Sequence, residues 1–298
     1  TSYSTCSCVL IITDLIQIKM NLFKYMAFVG MSALTLVACN KDDDDTSSTP
    51  DPQLPYENLV KIGETYAEGA ATRVVVYGNE DLFVGHNTIS VALYDSVSGD
   101  QITDAHVELM PVMHMNSGMN HACPVTQPTV FDDDKSIKGN VMFVMPSNDM
   151  MGSWDLIVKV HNHSNMQEGT ATLAGIDVVE KDDPRVVSQT SMVDSNRYFV
   201  SLLEQSWDVG MNTYEVQISK RENMMSWPAV EDLIVEIEPE MPDMGHGSPN
   251  NVNPVHVQDG YYKGQVNFTM TGYWKVNMVL KNTNGDILAE GLAFDIRF

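Results

Sequence analysis

Lys263–Leu280 reads KGQVNFTMTGYWKVNMVL, and Lys138–Val160 reads KGNVMFVMPSNDMMGSWDLIVKV. Both segments open on Lys-Gly and continue into an alternating run, QVNFTM (Gln265–Met270) or NVMFVM (Asn140–Met145). Both then step through Gly-x-Trp into an apolar run, KVNMVL or DLIVKV. Alternation with period two is the pattern of a half-buried strand. Glycine ahead of a bulky Trp suits a tight turn into the next strand. Upstream, HVELMP (His106–Pro111) and IVEIEPEMP (Ile234–Pro242) alternate apolar and acidic residues in the same way. The chain therefore carries an internal repeat whose unit is a set of short strands.

Working outward, RVVVY (Arg73–Tyr77) and NTISVALY (Asn87–Tyr94) precede the first copy, and Arg197–Leu203 and NTYEVQIS (Asn212–Ser219) precede the second. Turn-rich Gly, Asn, Asp, Ser and Pro separate these runs. No amphipathic helix longer than two turns is legible after the N-terminal region. The pattern predicts an all-β chain of two tandem immunoglobulin-like β-sandwich domains, with about seven strands each. A charged, Pro-ended boundary at EKDDP (Glu180–Pro184) divides them into 58–182 and 183–298.

The N-terminal region reads as targeting. Met20 opens MNLFKYMAFVGMSALTLVAC, with Lys24 ahead of an apolar run (Tyr25–Ala38) too short to span a bilayer. Leu36-Val37-Ala38-Cys39 resembles the lipobox of bacterial lipoproteins, which implies a signal peptide over 20–38 and lipidation at Cys39. Residues 1–19 are expected to be a mis-annotated leader. Asp42–Asp45 and TSSTPDPQLP then form an acidic, disordered tether, so that 39–57 holds the lipidated Cys and its spacer. The Lys-Asp-Asp run resembles the surface-export signal of Bacteroidetes lipoproteins. The expected location is the cell envelope, as an outer-membrane lipoprotein facing the periplasm or the cell surface.

The formal net charge is −23, from 17 Lys+Arg against 40 Asp+Glu. No basic stripe is visible, and nucleic-acid binding, which requires phosphate neutralisation, is disfavoured. Of the four Cys, only Cys123 lies in the folded region, so no internal disulfide can form there. It is either a small buried residue or a soft ligand beside the first Met/His cluster. No nucleophile elbow, HExxH, P-loop, dinucleotide fingerprint, CxxC pair or EF-hand loop occurs, and no enzyme activity is expected.

Methionine and histidine are concentrated at equivalent places in the two copies: MPVMHMNSGMNH (Met110–His121) and EMPDMGHG (Glu240–Gly247). Met142, Met145, Met270 and Met278 fall on alternating runs and are expected in the core. Trp154 and Trp274 are expected to anchor it. Met113, Met115, Met119, Met241 and Met244 fall among turn residues, where ligation, partner contact or folding back over the sandwich end are all open. Met119-x-His121 and Met244-x-His246 share a spacing that, in an extended segment, puts both side chains on one face. Thioether with imidazole is a donor set for copper, above all Cu(I). His114 and Cys123 could complete a first site and His256 a second, although the first copy has an apolar residue where His256 stands. For each histidine the plainer alternative is a solvated loop imidazole. His161 and His163 read as a turn, and His86 and His106 as structural.

The order of strand, Met-Pro-x-Met-x-His, loop, Lys-Gly-x-Val-x-Phe-x-Met and Gly-x-Trp resembles the YtkA/FixH-like domain. The second half carries it best, through MPDMGHG, GYYKGQVNFTM and GYW, and the first half reads as a diverged copy. The resemblance implies extracytoplasmic sandwich modules associated with copper handling. A lipid anchor in place of a transmembrane helix departs from the FixH type and speaks against oxidase assembly. Two functions are thus expected. The main one is a lipid-anchored protein binding or trafficking copper through its Met/His loops, with a copper-handling partner. The alternative is a non-enzymatic surface-lipoprotein scaffold that binds a protein or glycan.

Overall fold

A computed structural model describes residues 56–298. The expected leader, signal peptide, Cys39 and all but the last two residues of the tether lie outside the described residues. Within them the chain is all-β, with nineteen strands and one three-residue 3-10 turn at Glu68–Ala70. No described helix is long and apolar enough to cross a membrane.

The first half holds β1 (Val60–Ala67), β2 (Thr72–Gly78), β3 (Gly85–Asp95), β4 (Gln101–Ile102), β5 (Ala105–Met115), β6 (Asn120–His121), β7 (Val125–Thr126), β8 (Ile137–Phe143), β9 (Gly152–Asn162) and β10 (Gln167–Ile176). Its strands form one sheet in the order β1-β2-β3-β8-β7, with β4 on β3, and a second in the order β10-β9-β5-β6. The second half holds β11 (Val186–Thr190), β12 (Arg197–Leu202), β13 (Gly210–Arg221), β14 (Ile234–Met241), β15 (His246–Gly247), β16 (Val252–Gln258), β17 (Tyr261–Phe268), β18 (Tyr273–Lys281) and β19 (Ile287–Arg297). Its sheets run β11-β12-β13-β17-β16 and β15-β14-β18-β19. Apart from β4, every strand of one half has a counterpart in the other at the same place in the sheet order. The sequence repeat is thus a structural repeat of two sandwich-like halves.

Each half buries its own core between its two sheets. Trp154 on β9 and Trp274 on β18 are fully buried, as expected. Each indole satisfies its N–H locally: Trp154 Nε1 donates to the Met145 carbonyl and Trp274 Nε1 to the Met270 carbonyl, both at 2.9 Å. Phe143 and Phe268 pack on these rings at 5.1 and 5.3 Å between centroids. Met142 and Met278 are core residues, as expected. Met145 and Met270 are not. They stand past the ends of β8 and β17, where the alternation that predicted their burial has stopped. Met145 is half-buried and Met270 is 40% exposed.

A second shared device holds the strand entries. Asn87 accepts from Phe83 N (3.0 Å) and donates to the Phe83 and Gly85 carbonyls (both 2.8 Å). Asn212 accepts from Asp208 N (2.9 Å) and donates to the Asp208 and Gly210 carbonyls (2.7 and 2.8 Å). One carboxamide thus bonds three backbone groups where the chain enters the strand. The signal is present in the sequence as Val-Gly-x-Asn-Thr at 84–88 and again at 209–213.

A candidate binding cleft between the two halves

The first Met/His cluster is a β-hairpin. β5 runs into a turn at Asn116–Gly118, closed by Met115 N→Met119 O (2.9 Å) and Gly118 N→Met115 O (2.8 Å), and returns as β6. Met113 faces His121 across the pair, and Met241 faces His246 in the same position of the β14–β15 hairpin. His121 Nδ1 bonds the Ala122 carbonyl at 2.8 Å, and His246 Nδ1 bonds the Gly247 carbonyl at 3.0 Å. Each imidazole then sets its edge against the core Trp, at 5.2 Å from Trp154 and 5.9 Å from Trp274. The shared Met-x-His spacing therefore closes each hairpin over its tryptophan.

This geometry overturns the expectation of a copper site. Among the described residues no three His, Cys, Asp or Glu side chains come together in a group able to hold a metal ion. Met119 lies in the turn before β6 rather than in an extended run, so it is 53% exposed while His121 is only 3% exposed. Met113 and Met241, expected in loops, are buried on strands. His114 points to the opposite side of β5, with Nδ1 at 3.2 Å from Asn120 Oδ1 and Nε2 at 3.1 Å from Asp155 Oδ2. Met244 is exposed on its turn, and His256 lies on β16 in the other sheet, packed on Tyr262 at 5.3 Å. Cys123 is buried in the first core, and burial pushes its thiol well above the usual range, so it packs as a small apolar residue. The copper cofactor and the copper-trafficking function fall with the site.

What the first hairpin does instead is wall a cleft of about 760 Å³ at the junction of the halves. Met115, Met119 and His121 line it, joined by Met145 beyond β8 and by Met224 from the turn after β13. Ala122 N donates to the Met224 carbonyl at 2.9 Å, which ties the hairpin to the second half. The lining also carries four cations, Lys181, Arg185, Arg197 and Arg221, against two anions, Glu180 and Asp182. In a chain of net charge −23, this is a local reversal of sign.

The four cations differ in their partners. Lys181 reaches Glu80 (2.6 Å) and Glu204 (3.6 Å), and Arg185 Nε reaches Glu204 at 3.4 Å. Among the described residues Arg197 and Arg221 make no ion pair. Arg197 donates to Ser188 Oγ from Nε (3.1 Å) and Nη2 (2.8 Å) and lies over Phe199 at 5.3 Å. Arg221 lies 5.9 Å over Trp227, which packs on Phe199 at 4.9 Å. In the β12–β13 ladder Arg197 and Arg221 stand directly opposite each other. Desolvation holds His121 below the usual histidine range, and the positive charge of Arg221 adds to this despite the opposing bond to Ala122. Sequence reasoning missed these arginines because their proximity exists only once β12 and β13 pair.

Below the cleft, polar contacts close the junction. His86 Nε2 lies 2.9 Å from Tyr261 Oη, Thr126 Oγ1 lies 3.3 Å from the same hydroxyl, and Gln217 Nε2 donates to Thr126 Oγ1 at 3.1 Å.

No curated protein matches the chain. Similar solved structures include a DUF4785 family protein from Legionella pneumophila, at 9% identity, with a TM-score of 0.26, covering 76% of this chain and 57% of that one. The chain thus spans just over half the length of that protein. They also include a conserved domain protein from Bacillus anthracis, at 12% identity, with a TM-score of 0.26, covering 81% of this chain and 92% of that one. Likenesses this distant carry no argument about function. A family model described as YtkA-like does match within the second half, over residues 192–279, from β12 to β18.

Proposed function

We propose that this chain is a non-catalytic binding module of the cell envelope, held to a membrane through lipid on Cys39. Two tandem immunoglobulin-like modules, the first a diverged copy of the YtkA-like second, form a scaffold. The cleft at their junction takes a protein or glycan partner. The observation that carries this reading is the cleft itself, which brings methionines of both halves together with Arg197 and Arg221, two arginines that make no ion pair among the described residues. Thioether surfaces adapt to different partners, and cations suppress wrong ones by charge. The absence of any catalytic motif from the sequence supports a binding role.

The test is photo-crosslinking in the native envelope. A photoreactive residue is placed at Met119 or Ser188 in the cleft, with Ile234, exposed and outside the cleft, as the control site. A discrete adduct from the cleft positions and none from the control is the expected outcome. Adducts at the control site alone, or at no site, would refute the reading.

A further inference from the structure

Arg197 and Arg221 face each other across two paired strands. Directly opposed like charges in a ladder are destabilising. Both guanidiniums are nevertheless held in place, one by Ser188 and Phe199 and the other over Trp227, and no described carboxylate neutralises either. An anion set between them would turn the repulsion into two charge-assisted bonds.

The rest of the lining indicates what carries that anion. Four methionines, Met115, Met119, Met145 and Met224, line the same cleft, and their thioethers suit flexible apolar side chains. His121 supplies a third element. Its Nδ1–H donates to the Ala122 carbonyl, which leaves Nε2 as an acceptor, and Nε2 is buried with no partner among the described residues. It therefore stands as an acceptor for an N–H or O–H donor of an occupant.

Resting on the reading of this cleft as the recognition site, we infer that its occupant is an acidic peptide segment of a partner protein. One Asp or Glu carboxylate lies between Arg197 and Arg221, apolar side chains lie along the methionines, and a backbone N–H donates to His121. An acidic glycan would satisfy the arginines but would leave the methionines against hydroxyls.

The experiment is selection of a random displayed peptide library on the full chain, with oligogalacturonate as the competing probe. Enriched peptides are expected to carry Asp or Glu beside apolar residues. Replacing that acid by its amide should weaken binding about tenfold or more, as should Arg197→Gln with Arg221→Gln. Arg197→Lys with Arg221→Lys should restore part of it. Circular dichroism confirms that each variant is folded, and the Lys pair reads the charge independently if the Gln pair is not. Peptides without acids, peptides indifferent to both variants, or no enriched peptide overturn the proposal. Oligogalacturonate displacing or outbinding the peptides also overturns it, while leaving the cleft a recognition site. Loss of the cleft crosslinks as well would remove both readings.

Discussion

A methyl group on Gly152 has nowhere to go. Its φ of +130° belongs to a region that is almost exclusive to glycine, and an added Cβ would fall onto the His114 carbonyl oxygen on the neighbouring strand. Gly272, its counterpart, has nearly the same φ of +131°, but its Cβ would meet only the Met241 Cε, at 2.7 Å. A thioether methyl can swing aside and a strand carbonyl cannot. Gly152→Ala should therefore cost about 3 kcal/mol or more, and Gly272→Ala about 1–2 kcal/mol, mostly from the backbone. Urea unfolding of the two variants checks the order, and equal costs would refute the argument. At this scale the Gly-x-Trp steps were legible, because a glycine and a tryptophan leave few other readings. The histidines were legible as a repeated pair but not in direction. Nothing in Met-x-His says that the methionine sits in a turn and the imidazole turns inward onto a tryptophan. The copper expectation rested on that missing direction.

Among the elements, several longer strands were legible from their alternation, as in β5, β8, β17 and β18, whereas β10 and β19, the outer strands of their sheets, were not read although β19 alternates over its second half. The two-residue strands β4, β6, β7 and β15 carry no period and could not be read. The Val-Gly-x-Asn-Thr step at the strand entries occurs twice in the sequence, but its role depends on a loop geometry that only the fold supplies. That role gives a prediction for β3 and β13. Asn87 is 5% exposed, so Asn87→Ala would remove the side-chain partner of the Phe83 N–H and of the Phe83 and Gly85 carbonyls at a site closed to water. A cost of about 2–3 kcal/mol is expected. Asn212 is less buried, water can replace part of its carboxamide, and Asn212→Ala should cost about 1 kcal/mol. Asn87→Asp keeps the acceptor but loses both donors, so it should fall on the Ala side rather than restore stability. Thermal unfolding of the three variants measures this, and a neutral Asn87→Ala would show that the loop holds itself.

Across the molecule, neither core extends into the other, and polar side chains bridge the two halves. Such a junction depends on pH in a way that two merged cores would not. His86 spans it to Tyr261, and burial pushes its pKa down to about 4. In the unfolded chain the same imidazole titrates near its ordinary value of about 6.5. As pH falls below 6.5 the unfolded chain therefore takes up a proton first, and the folded chain is penalised until its own imidazole titrates near 4. The contribution of His86 is complete above about pH 7 and is lost between about 6.5 and 4. By pH 5 this amounts to about 2 kcal/mol. His121, also held below its ordinary range, acts in the same direction. His86→Gln retains a polar side chain opposite the Tyr261 hydroxyl and has no proton to gain. Urea unfolding at pH 7 and pH 5 should show a clear loss of stability in the parent chain and a smaller one in His86→Gln, the remainder belonging to His121. The window stops at pH 5 because paired carboxylates begin to titrate below it and would steepen both curves. If His86→Gln loses as much stability as the parent between the two pH values, the junction histidine is not the titrating group.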